Sequence, residues 1–144
     1  MKISTKGRYA LRLMLDLANY DTGAPVALKD IAARQEISEK YLEQIISLLN
    51  KAGFVRSIRG AQGGYVLTKS LNQYTVGDIL RLTEGNLSPV DCVYDNGGSC
   101  ERGNECITKR VWKQINDAVN NVVDNITLED MVSWQAETIN DYSI

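Results

Sequence analysis

The 144-residue sequence predicts a mainly α-helical fold with one small β-hairpin. Apolar residues recur at three- and four-residue spacing in several segments, as they do on the buried face of an amphipathic helix. Two short β-favouring runs, residues 54–58 and 65–67, flank a glycine-rich stretch that can form a turn. The longest apolar runs are only a few residues, so no transmembrane helix is expected.

The first predicted helix covers residues 5–20. Leu13 and Leu15 widen its apolar stripe, so we expect this helix to be buried on more than one side. Gly23 and Pro25 follow it and mark its end. The stripe itself consists of Ala10, Leu11, Met14, Leu17 and Ala18.

Two further helices are predicted at residues 28–35 and 39–52, joined by a very short turn. Ser38 stands at the N-cap position, where its hydroxyl can accept a backbone N–H of the first helical turn. Glu36 occupies the turn position at which many such motifs have glycine, and Gly53 suits the left-handed end of the third helix. The pattern is typical of a helix-turn-helix motif, although structural αα-corners have similar sequences.

A β-hairpin is predicted directly after the third helix. Residues 59–64 connect its strands and contain three glycines as well as Arg59. Glycines keep such a loop slim, and an arginine suits the narrow, electronegative minor groove of DNA. The order helix, turn, helix, basic hairpin therefore favours a winged helix-turn-helix domain over an ordinary flexible hairpin.

The second half of the chain predicts a dimerisation element. A fourth helix is predicted at residues 75–83, a longer helix starts near residue 107, and a last short helix starts near Thr127. A two-fold partner would cover the apolar stripe of the long helix and place two reading helices side by side, so we expect a homodimer. The stripe consists of Val111, Ile115, Ala118, Val119, Val122 and Ile126.

The chain is expected to have three parts. Residues 1–85 form the predicted DNA-binding domain, residues 86–106 a cysteine loop, and residues 107–144 the dimerisation helix with the C-terminal helix. The charges agree with this division: residues 1–70 carry 11 Lys and Arg against six Asp and Glu, and residues 71–144 carry five against 12. A basic first half fits a double-stranded DNA partner, although chance clustering on a solvated surface would give the same counts.

Several classes of function are disfavoured. The sequence contains no histidine, which excludes Ser-His-Asp and Cys-His catalysis and every His-liganded metal site. It also lacks the glycine-rich phosphate loops of nucleotide-binding enzymes, so an enzyme is not expected. No signal-peptide pattern is present, and we therefore expect a cytoplasmic protein without membrane contact.

The three cysteines lie within 15 residues, in the spacing C-x7-C-x5-C. A structural zinc site would show CxxC pairs and four ligands, and a disulfide would leave one cysteine over in a reducing compartment. Three buried cysteines do not suit so polar a loop. An iron–sulfur cluster with three thiolates and one other ligand fits the count, and direct thiol oxidation is the alternative.

Four segments together resemble a known family. These are KISTKGRYALRLMLDLA at the start, YLEQI in the third helix, the hairpin SIRGAQGGYVL and the later NITLEDMV. They are similar to the Rrf-type family of winged helix-turn-helix transcription regulators, which has IscR-like, NsrR-like and CymR-like branches. The resemblance covers essentially the whole chain and implies a homodimeric DNA-binding transcription regulator of a family of repressors, with repression or activation left open for this chain.

The resemblance also implies which residues contact DNA. Residues 38–44 correspond to the major-groove reader, in which Glu43 and Gln44 can meet base edges. Arg59 and Gly60 correspond to wing residues that enter the minor groove. The candidate phosphate contacts, together with the N-cap of the reading helix, are Lys2, Ser4, Lys6, Arg8, Ser38, Lys40 and Tyr41. Solvation or packing within the first helix is the alternative for Lys6 and Arg8.

The cysteines point to the IscR-like branch. Cys92, Cys100 and Cys106 match its cluster ligands, so an iron–sulfur cluster is implied, 2Fe–2S in that branch and 4Fe–4S in the NsrR-like one. Lys109 stands where IscR-like members have a histidine ligand, and a protonated lysine has no lone pair to donate. CymR-like members lack this cysteine set.

Other groups could complete the cluster, and other functions compete with it. Asp91, Glu101, Glu105, a carboxylate of the partner subunit, water or a small thiol could supply the fourth ligand. The alternative function is a thiol-based redox or cysteine-metabolism regulator without a cluster. A redox enzyme or metal-storage protein with a winged fold has no supporting motif.

Overall fold

The computed structural model describes residues 1–96 and 105–142. In these residues the chain is mainly α-helical with one antiparallel hairpin, which confirms the predicted fold class. Short 3-10 helices cover Leu71–Gln73 and Asp91–Asn96. The main elements are α1 (Thr5–Asn19), α2 (Leu28–Gln35), α3 (Glu39–Lys51), β1 (Val55–Ile58), β2 (Gly64–Leu67), α4 (Val76–Glu84), α5 (Ile107–Val123) and α6 (Leu128–Tyr142).

Helix α1 forms the centre of the fold, as its wide apolar stripe predicts. Ser4 caps it by accepting a hydrogen bond from the Gly7 backbone at 3.1 Å. Leu13 and Met14 are fully buried, and the helix packs against α2, α3, α4 and α6. Burial on several sides explains why apolar residues occupy more than one helical face.

The turn between α2 and α3 has the predicted tight geometry. Glu36 adopts the left-handed conformation, with a φ of 55°, in the position where glycine is common. Ser38 then accepts a hydrogen bond from the Tyr41 backbone at 3.1 Å and starts α3. Gly53, with a φ of 78°, follows α3 as predicted. The helix-turn-helix is therefore fixed by its caps and by this turn.

An ion pair between a buried carboxylate and a partly exposed arginine holds α2 against α1. Asp16 is 2% exposed and accepts hydrogen bonds from Arg34 at 3.1 and 2.8 Å and from Gln35 at 2.9 Å. The hydrogen bond to Asp16 raises the pKa of Arg34 above its ordinary value. The Arg34 guanidinium also lies 3.9 Å from the centre of the Tyr20 ring. This contact fixes the first helix of the helix-turn-helix.

The hairpin is anchored by a tyrosine that lies outside it. Val55 pairs with Leu67 and Ile58 with Gly64, so the loop projects from the end of a four-residue ladder. Tyr74 is 1% exposed, and its hydroxyl donates to the Phe54 carbonyl at 2.7 Å. The same oxygen accepts the backbone N–H groups of residues 68 and 69 at 2.9 and 3.0 Å.

Replacing Tyr74 with phenylalanine is expected to lower the free energy of unfolding by about 2 kcal/mol, because three partly buried backbone groups lose their hydrogen-bond partner. Denaturant unfolding of Tyr74→Phe and of Tyr20→Phe, whose side chain is half exposed, measures this difference. Equal unfolding midpoints for the two variants would contradict the anchoring role of the hydroxyl.

Helix α6 is longer than predicted. Thr127 and Asp130 form reciprocal hydrogen bonds of 2.9 and 3.1 Å that start it, as expected. The expectation of a short helix was wrong, since α6 has 15 residues and no glycine or proline interrupts it before Tyr142. Leu128 is fully buried in the same core as α1, so the helix packs back onto the first half of the chain.

The apolar stripe of α5 is divided between two surroundings. Val119 packs against Val76 and Leu80 of α4 within the same subunit, and so does Ile126, which lies beyond the end of α5 at Val123. The expectation that a partner covers the whole predicted stripe was therefore wrong. The remaining large side chains project into solvent. They are Ile107 (72% exposed), Val111 (50%), Ile115 (37%) and Val122 (55%).

None of the helices in the described ranges is long and apolar enough to cross a bilayer. The proposed division at residues 85 and 106 stays a prediction.

Candidate DNA interface and cysteine segment

The first turns of α3 present a polar face to solvent. Lys40, Glu43 and Gln44 are exposed and lie on one side of the helix, because residues three and four apart are neighbours. Leu42 and Ile45 on the other side are fully buried. This face can therefore enter a groove of DNA while the rest of α3 stays packed.

Helix α1 brings further cations to the start of α3. The Tyr9 and Tyr41 rings meet edge to face, with their centres 5.6 Å apart, so the first half of α1 lies beside the first turn of α3. Lys2 and Arg8 are exposed and Lys6 is half-buried. The contact between the two rings therefore brings the part of α1 that follows Lys6 and Arg8 beside the first turn of α3, which carries Lys40. The half-buried Tyr41 also supports the packing of α1.

Ser4 has a structural role that its sequence position did not predict. Its backbone N–H and its hydroxyl donate to one oxygen of Glu84, at 3.1 and 2.6 Å. Both donors of Ser4 are therefore used within the protein. A phosphate contact by Ser4 stays a prediction, and it would require exchange of these bonds.

The loop of the hairpin carries the predicted wing residues. Arg59 and Gly60 are exposed, and Gly60 has a φ of 120°, which favours glycine. A Cβ atom at Gly63 would lie 2.3 Å from the Ile58 carbonyl oxygen, so the loop can close only with glycine there. The loop is therefore slim and presents Arg59 to solvent.

Arg56 is an interface candidate that the sequence reasoning missed. It lies in β1, paired with Val66, and its side chain is exposed on the same hairpin as Arg59. The signal that could have found it is a cation in the β-favouring run directly before the glycine-rich loop.

The two predicted classes of DNA contact are separable by mutation. Arg59→Ala is expected to weaken operator binding. It is also expected to reduce sequence specificity at the positions where the minor groove is narrow. Lys40→Ala is expected to weaken binding to all sequences and to reduce the slope of log affinity against log salt by roughly one. Titrations of labelled duplexes at several salt concentrations measure both, with the exposed Lys51→Ala at the far end of α3 as the control. Unchanged affinity in both variants would contradict the assigned face.

The cysteine segment, residues 86–106, follows Gly85 at the end of α4, and its described residues lie close to α5. Leu87 is 5% exposed in the cluster that includes α4, and the Ser88 hydroxyl donates to the Asn116 amide oxygen at 3.0 Å. The 3-10 helix at Asp91–Asn96 packs against α5 and carries the half-buried Cys92. Cys106 is the residue before α5, with its sulfur 3.2 Å from the Thr108 hydroxyl.

The structure therefore places two predicted ligands, Cys92 and Cys106, on elements that adjoin α5. Cys100 and Glu101 lie outside the described residues. Within those residues no group of three potential metal ligands is assembled. Asp91 and Glu105 are exposed beside the two cysteines, and Lys109 donates its backbone N–H to the Cys106 carbonyl at 3.2 Å. Thiolates are the usual ligands of iron–sulfur clusters, so the two described cysteines are of the residue type that such a group needs.

Comparison with known proteins identifies a single family for almost the whole chain. The family model described as "Rrf2: Iron-dependent Transcriptional regulator" matches residues 3–133. The HTH-type transcriptional regulator IscR of Pectobacterium carotovorum is 40% identical over 133 residues, covering 92% of this chain and 80% of that protein.

Two relatives with known structures share the fold. The HTH-type transcriptional regulator CymR of Bacillus subtilis is 47% identical over 134 residues, covering 93% of this chain and 91% of that protein. Its structure, described as that of the global cysteine regulator, has a TM-score of 0.80 and covers 93% of this chain and 98% of that one. The structure of T. potens IscR is 43% identical with a TM-score of 0.79, covering 96% of this chain and 90% of that one.

Proposed function

Because the chain belongs to the Rrf2 family of transcriptional regulators, we propose that it binds operator DNA as a homodimer and that an iron–sulfur cluster tunes this binding. Membership confirms the family predicted from the four sequence segments. The relatives are transcriptional regulators and not enzymes, in agreement with the lack of catalytic motifs.

The exposed polar face at the start of α3 and the exposed, slim basic loop of the hairpin are the features that carry the DNA-binding part. Lys40 and the cations of α1 would contact phosphates, Glu43 and Gln44 would meet base edges, and Arg59 would enter the minor groove. Glutamate can accept a hydrogen bond from the cytosine amino group, and glutamine can form two hydrogen bonds with adenine. Binding to chromosomal DNA would place the protein in the cytoplasm.

The exposed apolar side chains of α5 support the homodimer. Val111 and Ile115 lie one helical turn apart on a helix that has no buried residue. A second copy of α5 would cover them, since large apolar side chains gain from removal from water. A two-fold dimer would then place two α3 helices on half-sites about one helical turn of DNA apart, or a multiple of it.

The cluster part of the proposal is supported by the chemistry of the donors. Cys92, Cys100 and Cys106 would hold the group through thiolates, and Cys106 lies at the start of α5, where the helix dipole favours negative charge. A bound cluster would supply sensitivity to iron supply and oxidants. The protein would hold Cys92 and Cys106 next to α5. Binding or loss of the cluster would therefore change the surroundings of that helix.

The fourth ligand is expected to be a carboxylate or an external ligand, because the chain has no histidine and Lys109 is a poor donor. A 2Fe–2S group is favoured over 4Fe–4S by the match of the cysteines to the IscR-like branch.

Anaerobic reconstitution with ferrous iron and sulfide tests the cluster. The wild type is expected to gain visible absorption with matching iron and sulfide content, and substitution of serine for any of the three cysteines is expected to abolish it. Ser133→Ala, at an exposed position of α6, is the control and is expected to behave as the wild type. A colourless wild type without bound iron would contradict the cluster but leave DNA binding in place.

A second candidate is a regulator that responds through its thiols or to cysteine metabolism without a cluster. It is favoured by the 47% identity to CymR, which is described as a global cysteine regulator. This function predicts a change in operator affinity on mild oxidation of iron-free protein, accompanied by a defined thiol product. Mass spectrometry of the oxidised protein identifies that product, and unchanged affinity would exclude this candidate.

A further inference from the structure

The last turn of α4 connects three parts of the molecule. It contacts the beginning of α1, which lies beside the reading helix, and the end of α5, the proposed dimerisation helix. The cysteine segment begins directly after Gly85, the residue that ends α4.

Glu84 holds the beginning of α1. One carboxylate oxygen accepts two hydrogen bonds from Ser4, from the backbone at 3.1 Å and from the hydroxyl at 2.6 Å. A Cβ atom on Gly7 would lie 2.2 Å from the same oxygen. Glycine at position 7 is therefore required for this approach of the carboxylate.

Arg81, one turn earlier, holds the end of α5. It donates to the two carboxylate oxygens of Asp124 at 2.6 and 3.0 Å and to the Asn120 amide oxygen at 2.8 Å. The hydrogen bond to Asp124 raises the pKa of Arg81 above its ordinary value. A Cβ atom on Gly77 would lie 2.1 Å from Asp124, so here too a glycine makes room for a carboxylate.

The start of the cysteine segment is attached to both α4 and α5. Gly85 ends α4 with a φ of 83°, and Leu87 is buried against Val76 and Leu80. Ile3, from the segment before α1, packs on the same cluster. A displacement of the cysteine segment relative to α5 would therefore act directly on Gly85 and on the neighbouring Glu84.

We propose that Glu84 is a positioning residue for DNA binding. Through its contact with Ser4, it couples the binding or loss of a cluster in the cysteine segment to the position of the cations at the beginning of α1. When Glu84 holds Ser4, it fixes the end of the helix that carries Lys6 and Arg8. Release of this contact changes the positions of the Lys6 and Arg8 side chains relative to the phosphates of bound DNA. The transmission rests on the proposed function, because it requires operator affinity to depend on the cysteines.

Glu84→Gln and Gly7→Ala disrupt the contact in different ways. Glutamine removes one negative charge near the DNA, which raises affinity for a polyanion in every state of the cysteine segment. Alanine at position 7 displaces the carboxylate and keeps its charge. Glu137→Gln, at an exposed position of α6, is the matched control for the charge. The ratio of affinities between two states cancels the charge effect.

The first measurement is hydrogen–deuterium exchange of metal-free protein. Both variants are expected to exchange faster than the wild type in the peptide covering residues 4–8, whereas Glu137→Gln is expected to match the wild type. Unchanged exchange in both variants would overturn the positioning role. This experiment does not depend on the cysteines.

The second measurement is the dissociation constant for a fluorescent duplex selected from a random pool by the wild type. It is taken for protein reconstituted with ferrous iron and sulfide and for the same protein after chelation. We expect the two wild-type constants to differ by about fivefold or more, as is usual for coupled sites. The ratio is expected to fall to about one in Glu84→Gln and Gly7→Ala and to persist in Glu137→Gln.

The two proposals fail in different ways. A wild-type ratio that persists in both variants would overturn transmission through Glu84 and leave cluster-tuned binding intact. Equal wild-type constants in the two states would overturn cluster-tuned binding, and transmission with it, whereas the exchange result would still decide the positioning role.

Discussion

The double variant Val111→Asp with Ile115→Asp is expected to be a folded monomer that binds operator DNA at least about 100-fold more weakly than the wild type. Both side chains are exposed in the single subunit, at 50% and 37%. The substitutions therefore leave the subunit core untouched, but they would bury two carboxylates in the proposed α5 interface, which is strongly unfavourable. Loss of the dimer removes the second reading helix from the complex.

Sedimentation measures the oligomeric state of this variant, and titration of a labelled duplex measures its affinity. Arg110→Asp is the control, because it changes the net charge equally at another exposed position of α5. It is expected to remain dimeric with nearly normal operator affinity. A double variant that stays dimeric would show that Val111 and Ile115 lie outside the interface.

Asp16→Ala is expected to destabilise the protein by about 2 kcal/mol and to weaken operator binding. The carboxylate is nearly fully buried and binds Arg34 and Gln35, which lose their partner. Arg34 keeps 31% side-chain exposure, so water takes up part of the loss and the effect is smaller than for a fully buried pair. Because this contact fixes α2 against α1, the orientation of α3 is also expected to loosen.

Chemical unfolding measures the stability of Asp16→Ala, and duplex titration well below its melting temperature measures its affinity. Asp21→Ala, in the exposed loop after α1, is expected to leave both quantities unchanged. If Asp16→Ala and the wild type have the same free energy of unfolding, then the contact with Arg34 and Gln35 does not stabilise the fold.

Features with local causes were predictable from the sequence. Ser38 caps α3 as its hydroxyl predicts, and Glu36 takes the left-handed turn position. The boundaries of α2 agree residue for residue with the apolar spacing and the turn that follows. In each case the determining interaction is within a few residues of the chain, where helical period, caps and turn residues carry the information.

Features that depend on distant residues were not predictable. The contact of Ser4 with Glu84 joins residues 80 positions apart, and nothing near Ser4 distinguishes it from a phosphate-binding serine. The Asp16–Arg34 pair was missed for the same reason. The division of the α5 stripe between α4 and solvent depends on how the helices pack, which the helical period does not specify.

Overall similarity relates the chain to both the CymR-like and the IscR-like branch of the family. CymR of Bacillus subtilis is 47% identical and IscR of Pectobacterium carotovorum 40%, and the two solved relatives have TM-scores of 0.80 and 0.79. The difference between a cluster-dependent and a thiol-dependent regulator therefore rests on Cys92, Cys100 and Cys106 rather than on the fold.

Anaerobic titration of a selected operator duplex, with mass determination of the complex, tests the central claim most directly. The account predicts a complex of two subunits per operator that weakens steeply with salt, and an affinity that changes when iron and sulfide are removed. Protein that remains a single subunit and fails to bind DNA even at low ionic strength would contradict it.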